Sequence, residues 1–130
     1  MTGLVLVTHA GLAGALISAA EMIVGSIDLC ASVEVAPGEH ADGIMARVVS
    51  AVEEVSADGA IIMTDLFGGT PSNMAMSFLK DGRIEVLTGV NLPMLIEFCS
   101  KRQRLTVPEL AAELQRSGRE AIIVAGEFLK

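Results

Sequence analysis

Two runs of residues limit the possible folds more than any other feature of this chain. Leu4 to Val7, closed by Thr8-His9, and Ala60 to Met63, closed by Thr64-Asp65, hold no polar side chain before their last positions. A strand with one wet face alternates apolar and polar residues, so an unbroken apolar strand must be covered on both faces. The first run leads into Leu12, Ala15, Leu16, Ala19, Ala20 and Ile23 at helical spacing. The second leads through Gly-Gly into Thr70-Pro71, which reads as an N-cap with proline at the first helical position and Met74, Ala75 and Phe78 facing the core.

The remaining elements follow the same alternation. Leu29, Ala31, Val33 and Val35 alternate with Cys30, Ser32 and Glu34, the pattern of a half-exposed strand at a sheet edge. Met45, Val48, Val49, Val52 and Val55 mark one side of the next helix. After the Asp81-Gly82 turn signal, Ile84 to Thr88 reads as a fourth strand, and Asn91 caps a short helix with Pro93 in its first turn. Thr106 and Glu109 form a capping box that opens a helix with Leu110 and Leu114 inward, and Gly118 reads as its end. Residues 121 to 125 read as a last apolar strand.

This alternation predicts an α/β fold of three layers: a mainly parallel sheet in the order 2-1-3-4, helices on both faces and a C-terminal antiparallel strand. No linker, charge block or repeat divides the 130 residues, so one domain over 1–130 is expected. With 52% hydrophobic residues and four Phe as the only aromatics, the core must be aliphatic.

A formal charge of −7 disfavours nucleic acid, whose phosphates are bound chiefly by clustered Lys and Arg, and suits a basic protein partner. The apolar start mimics a secretory signal, yet no Lys or Arg precedes Arg47, and Thr8, His9, Ser18 and Glu21 interrupt it. A cytoplasmic protein is expected. Cys30 and Cys99 lack metal-type spacing and read as reduced, partly buried thiols; no metal site and no cofactor are expected.

In such a sheet the ligand crevice lies beyond the carboxyl ends of the strands where the winding reverses, here between the first and third strands. Those ends carry Thr8-His9 and Thr64-Asp65. Asp65 can accept a hydrogen bond from Nδ1–H of His9 and leave Nε2 facing outward as a nucleophile. The small residues Ala10, Gly11, Ala13 and Gly14 would let a partner or phosphoryl group approach the backbone. Gly68-Gly69 before a helix start can turn amides toward an anion, with the Thr70 and Ser72 hydroxyls adding donors. The loop lacks the lysine and spacing of a Walker A sequence, and no Gly-x-Gly-x-x-Gly is present. From pattern alone, His9 reads equally as an incidental strand-end residue, and an Asp before a Gly-rich turn is often a turn former. His40 has no such partner and reads as an exposed helix-start residue.

At these residues the sequence resembles the IIA component of the mannose-type phosphoenolpyruvate:sugar phosphotransferase system. The resemblance rests on Val7-Thr8-His9, Ala20-Glu21-Met22, Pro37-Gly38-Glu39, Asp65 to Asn73, and Gly89 to Met94. It implies a protein-histidine phosphotransferase acting through a phosphohistidine, which takes its phosphoryl group from the small carrier HPr and passes it to a IIB protein. His9 matches the family's active histidine, Asp65 its aspartate partner, and Gly68 to Pro71 its Gly-Gly-[Ser/Thr]-Pro segment. Thr8, Gly68, Gly69, Thr70 and Ser72 become the expected phosphoryl-binding residues, and Leu12, Phe67 and Met94 the expected docking rim. Homodimers are implied, with the terminal strand pairing on the partner's sheet; residues 121 to 125 match that segment. Contact with the membrane would be only indirect, through the transporter complex.

The chain lacks the tryptophan that family members can carry after the active histidine, and no IIB domain follows Lys130, so a stand-alone IIA is expected. The Gly68-Gly69-Thr70-Pro71 loop favours the sugar-system branch over the related group that serves dihydroxyacetone kinase. Two other classes remain: a regulatory module whose phosphorylation state at His9 selects partners without supporting transport, and a small-anion-binding domain with no covalent step.

Overall fold

The computed structural model describes residues 1–130. In chain order the elements are β1 (Gly3–His9), α1 (Leu12–Val24), β2 (Cys30–Val35), α2 (Ala41–Val55), β3 (Ala60–Thr64), α3 (Thr70–Met76), β4 (Ile84–Thr88), α4 (Leu92–Lys101), α5 (Val107–Glu120) and α6 (Ala125–Phe128). The strands form one parallel sheet in the order β2-β1-β3-β4. Its register sets Val7 beside Val33 on one side and Thr64 on the other, and His9 beside Val35.

The unbroken apolar runs divide between two cores, because successive side chains in a strand point to opposite faces. Leu4, Leu6, Ile61 and Met63 pack with Ala13 and Ala20 of α1, Leu95 and Phe98 of α4, and Leu110 and Leu114 of α5. Val5, Val7 and Ile62 pack on the other face with Ile44, Val48 and Val52 of α2 and Ala75 of α3. Each fully buried Leu, Ile or Phe stabilises the fold by roughly 1.5–3 kcal/mol. The same parity places Thr8 on the α1 side and aims His9 toward the side of α2 and α3.

Several expected details differ. The inward stripe of α1 is Ala13, Leu16, Ile17 and Ala20, while Leu12 and Ile23 are exposed. In a helix this apolar, the pattern does not fix which residues turn inward, and the sheet takes the small alanines. Ile44 and Ala51 are buried in α2 where Met45 and Val49 were expected. α3 includes Thr70 and takes Gly69 as its N-cap. Gly118 does not end α5, which runs to Glu120; it lies buried within the helix, where an added Cβ would sit 2.8 Å from Cγ and Sδ of Met94. The Asn91 side chain accepts the Met94 N–H at 3.2 Å and donates to the Gly118 carbonyl at 3.0 Å, so α4 and α5 meet closely there.

The expected terminal strand does not form within the chain. Residues 121–125 pair with no strand, the sheet ends at β4, and the short α6 follows. An apolar run becomes a strand only where an open edge lies in reach of its backbone groups. Ile122, Ile123 and Val124 are exposed.

Candidate active site

β1 ends by running into the crevice. Ala10 follows His9 with a left-handed φ of 49° and donates its N–H to the Val35 carbonyl at 2.9 Å, so the chain turns sharply toward α1. The Thr8 hydroxyl is buried and accepts the Ala13 N–H at 2.8 Å, closing the first turn of α1 from behind. That parity leaves His9 on the open side, with about half of its side chain exposed (49%), opposite Asp65 at 11%.

One carboxylate oxygen of Asp65 holds the histidine twice. Oδ2 accepts the His9 backbone N–H at 3.0 Å and lies 2.9 Å from Nδ1. Oδ1 accepts the Leu66 N–H at 3.1 Å, which fixes the carboxylate plane. Burial works to raise the Asp65 carboxyl, but the hydrogen bonds from His9 outweigh it and hold the group below the usual carboxylate range. An ionised Asp65 accepts from Nδ1–H, which selects the tautomer with its lone pair on Nε2. Nε2 makes no hydrogen bond within the chain. The ring is thus pinned at one nitrogen and open at the other.

The glycine loop completes the site in an unexpected way. Gly69 lies so close that a Cβ there would come within 3.0 Å of His9 Cε1 and 3.3 Å of Nε2. Its missing side chain makes room for the imidazole. The Ser72 hydroxyl is buried; it accepts the Gly68 N–H at 2.8 Å and donates to the Gly69 carbonyl at 3.1 Å. Gly68 holds a φ of 99°, within the left-handed region open to glycine. Thr70 is exposed and borders, with His9, Ala10, Val35, Ala36 and Pro37, a cavity of about 270 Å³.

Of the expected residues, His9, Asp65, Gly69 and Thr70 are brought together. Thr8 and Ser72 face inward and brace the backbone, and the Gly68 amide is spent on Ser72. Gly11 and Gly14 do not leave room for a phosphoryl group: the Glu34 carboxylate fills it, with Oε1 2.7 Å from where a Gly14 Cβ would stand and Oε2 3.3 Å from that of Gly11. Leu12 and Phe67 are exposed beside the site, together with Leu66, whereas Met94 is buried beneath Gly118 and forms no part of the rim. Glu34 is the residue that the sequence reading missed; its place in an alternating edge strand gave no sign that it reaches α1. Nowhere do three or more His, Cys, Asp or Glu side chains gather as a metal site would require.

The family model described as "PTS system fructose IIA component" matches residues 3–115. The chain belongs to the mannose-type IIA family. Its relatives include a sorbose-specific EIIA component from Lacticaseibacillus casei, 33% identical over 90% of this chain and 86% of the relative. Another is a fructose-specific EIIA component from Bacillus subtilis, 29% identical over 100% of this chain and 90% of the relative. Among solved structures, the IIA protein associated with the fucose utilization operon of Streptococcus pneumoniae superposes with a TM-score of 0.88 at 27% identity, covering 99% of this chain and 96% of that one. IIA components are phosphotransfer proteins, and the role of this chain is that of a phosphocarrier in a sugar phosphotransferase system. No helix is long and apolar enough to cross a membrane.

Proposed function

We propose that His9 carries the phosphoryl group, taking it from phospho-HPr and passing it to a IIB protein through a phosphohistidine on Nε2. The observation that carries this reading is the double hold of Asp65 Oδ2 on the His9 amide and Nδ1, with Nε2 free of hydrogen bonds. In the first step the Nε2 lone pair bonds to phosphorus in line with the departing nitrogen of the donor's phosphohistidine. The P–N bond of the donor breaks, and its electron pair returns to the donor ring. The ring of His9 gains positive character while its proton stays on Nδ1, facing the carboxylate. The second step is the same displacement by the acceptor's nucleophile.

Phosphoryl transfer needs alignment and charge stabilisation more than covalent help from the protein. Asp65 supplies both for the ring. The Gly69 N–H, which donates to no group within the chain, and the exposed Thr70 hydroxyl are the donors assigned to the incoming oxygens in this reading; Thr8, Gly68 and Ser72 set the backbone that presents them. Exposed Leu12, Leu66 and Phe67 give a visiting protein apolar contact beside the histidine, and the −7 charge of the chain suits a basic donor. The reaction belongs in the cytoplasm, where phosphoenolpyruvate is made.

The sugar is set elsewhere. Relatives of this chain are named for sorbose and fructose, and one structural neighbour for a fucose operon. The chain also acts as a homodimer in this reading, with residues 121–125 completing the sheet of a partner subunit.

Incubation with phosphoenolpyruvate, the first enzyme of the system and HPr, followed by intact-mass measurement, tests the assignment. One acid-labile phosphate per chain is expected, absent from His9→Ala. A His9→Ala protein that still took up the phosphate would refute His9 as acceptor.

A further inference from the structure

Between donor and acceptor, a phosphoryl group on His9 is open to water. In hydrolysis a water oxygen bonds to phosphorus as the P–Nε2 bond breaks. The bonding pair returns to Nε2, and the products are the neutral ring and dihydrogen phosphate. A carrier therefore gains from a wall that excludes water on one side while leaving the other open to proteins.

Such a wall stands beside His9. Val35, Ala36 and Pro37, with Ala10, supply an apolar side to the cavity of about 270 Å³ that His9 borders. They leave the end of β2, the edge strand, so no neighbouring strand supports them from outside. Besides the Ala10 N–H on the Val35 carbonyl, their support comes from Glu39, just before α2, and from Arg47 within it. Glu39 Oε1 accepts the Ala36 N–H at 2.7 Å, and its two oxygens accept from Arg47 Nη2 at 2.7 and 2.5 Å. Arg47 Nη1 donates to the Glu34 carbonyl at 3.1 Å. One guanidinium on α2 thereby grips both ends of the segment that carries the wall. The Ala36 amide first, and then Arg47, hold the Glu39 carboxyl below its usual value. An exposed ion pair contributes little to stability, so the position of this pair matters more than its strength.

We propose that the Glu39–Arg47 pair is a positioning device that holds the Val35–Pro37 wall against His9 and so protects the phosphohistidine from hydrolysis. This rests on His9 being the phosphoryl acceptor. Neither side chain touches the reacting atoms; both act through the loop.

The test uses the whole chain as wild type, Arg47→Ala, Glu39→Gln, Arg47→Lys and, as a control that breaks an exposed pair on the opposite face of the sheet, Arg116→Ala. Each is phosphorylated through HPr, freed of donor proteins, and followed by intact mass at neutral pH alongside a thermal melt. With water admitted to the wall side, Arg47→Ala is expected to lose phosphate about fivefold faster than wild type. Its phosphorylation rate at saturating donor should stay within about twofold, since the groups that align the ring are untouched. Arg47→Lys, which restores a donor to Glu39, recovers most of the lifetime, and Arg116→Ala matches wild type. If Arg47→Ala melts below the assay temperature, Glu39→Gln, which keeps an acceptor for Ala36, is read in its place. Wild-type lifetimes in the folded variants would overturn the proposal while leaving His9 as carrier. A wild-type chain that takes no phosphate would overturn both.

Discussion

Asp65 does two things that an amide in its place would separate. An asparagine still offers an oxygen to Nδ1–H, but it does not balance the positive charge that grows on the ring as Nε2 bonds to phosphorus. Asp65→Asn is therefore expected to keep the fold and slow phosphorylation by on the order of a hundredfold, read as the initial rate of phosphate uptake from phospho-HPr. An unchanged rate would leave the carboxylate only a structural anchor. The pH dependence has a fixed sign. Because the folded carboxyl is held below its unfolded value, its contribution to stability is complete above the ordinary Asp range and is lost as pH falls through the lowered value. The gap in melting temperature between wild type and Asp65→Asn should thus persist down to about pH 4 and shrink below it. The meeting of His9 and Asp65 was legible because both close an unbroken apolar strand, and neighbouring parallel strands bring such ends together. The inward turn of Thr8 and Ser72 was not, since a hydroxyl in sequence gives no sign of whether it serves a ligand or a backbone amide.

α5 crosses the start of α4 at close range. Alanine favours a helix over glycine by about 1 kcal/mol, so Gly118→Ala would stabilise an isolated α5. Here the added carbon would lie 2.8 Å from the Met94 side chain, which is 5% exposed and hemmed by the core. Overpacking of this kind costs about 1–3 kcal/mol, so the repulsion wins and Gly118→Ala is expected to destabilise the protein in urea titrations. In a Met94→Ala background the clash is gone, and the same change should become neutral or stabilising. A similar penalty in both backgrounds would place its origin elsewhere. Capping chemistry made the helix starts readable: Thr106 and Glu109 form the expected box, and Asn91 caps α4. The helix interior was less readable, because Gly118 as a close-packing residue and glycine as a stop signal look alike in sequence. Nor does any local pattern announce Arg102. Its buried guanidinium donates to the Thr2, Asp28 and Leu29 carbonyls and lies over the Phe98 ring at 4.7 Å, tying α4 to the starts of β1 and β2. Contacts that span 100 positions of chain, as Arg102 to Thr2 does, leave no periodic trace.

At the scale of the whole molecule, one group of exposed apolar residues lies in the C-terminal segment, apart from those on α1 and in the loop after β3. Ile122, Ile123, Val124, Phe128 and Leu129 are each more than half exposed, at 75, 57, 63, 73 and 79%. Ile122 borders a cavity of about 410 Å³ that also takes in Val86 to Gly89, along the unpaired edge of β4. An open parallel-sheet edge and an unpaired apolar run are each a hazard in water, since both invite pairing with other chains. The proposed homodimer removes both at once, with the tail of one subunit occupying the β4 edge of the other. Each of these side chains that the partner fully covers would favour the assembly by roughly 1.5–3 kcal/mol, before the loss of translational freedom. A chain ending at Glu120 should therefore run as a monomer in size-exclusion chromatography with light scattering, where the full chain runs as a dimer. Ile123→Asp, which keeps the length and adds a charge to the run, should shift the equilibrium the same way. Because His9 and Asp65 come from β1 and the loop after β3, within one subunit, the truncated chain should still accept phosphate at His9. A monomeric full-length chain would remove the tail from this role and leave its exposed residues to another partner.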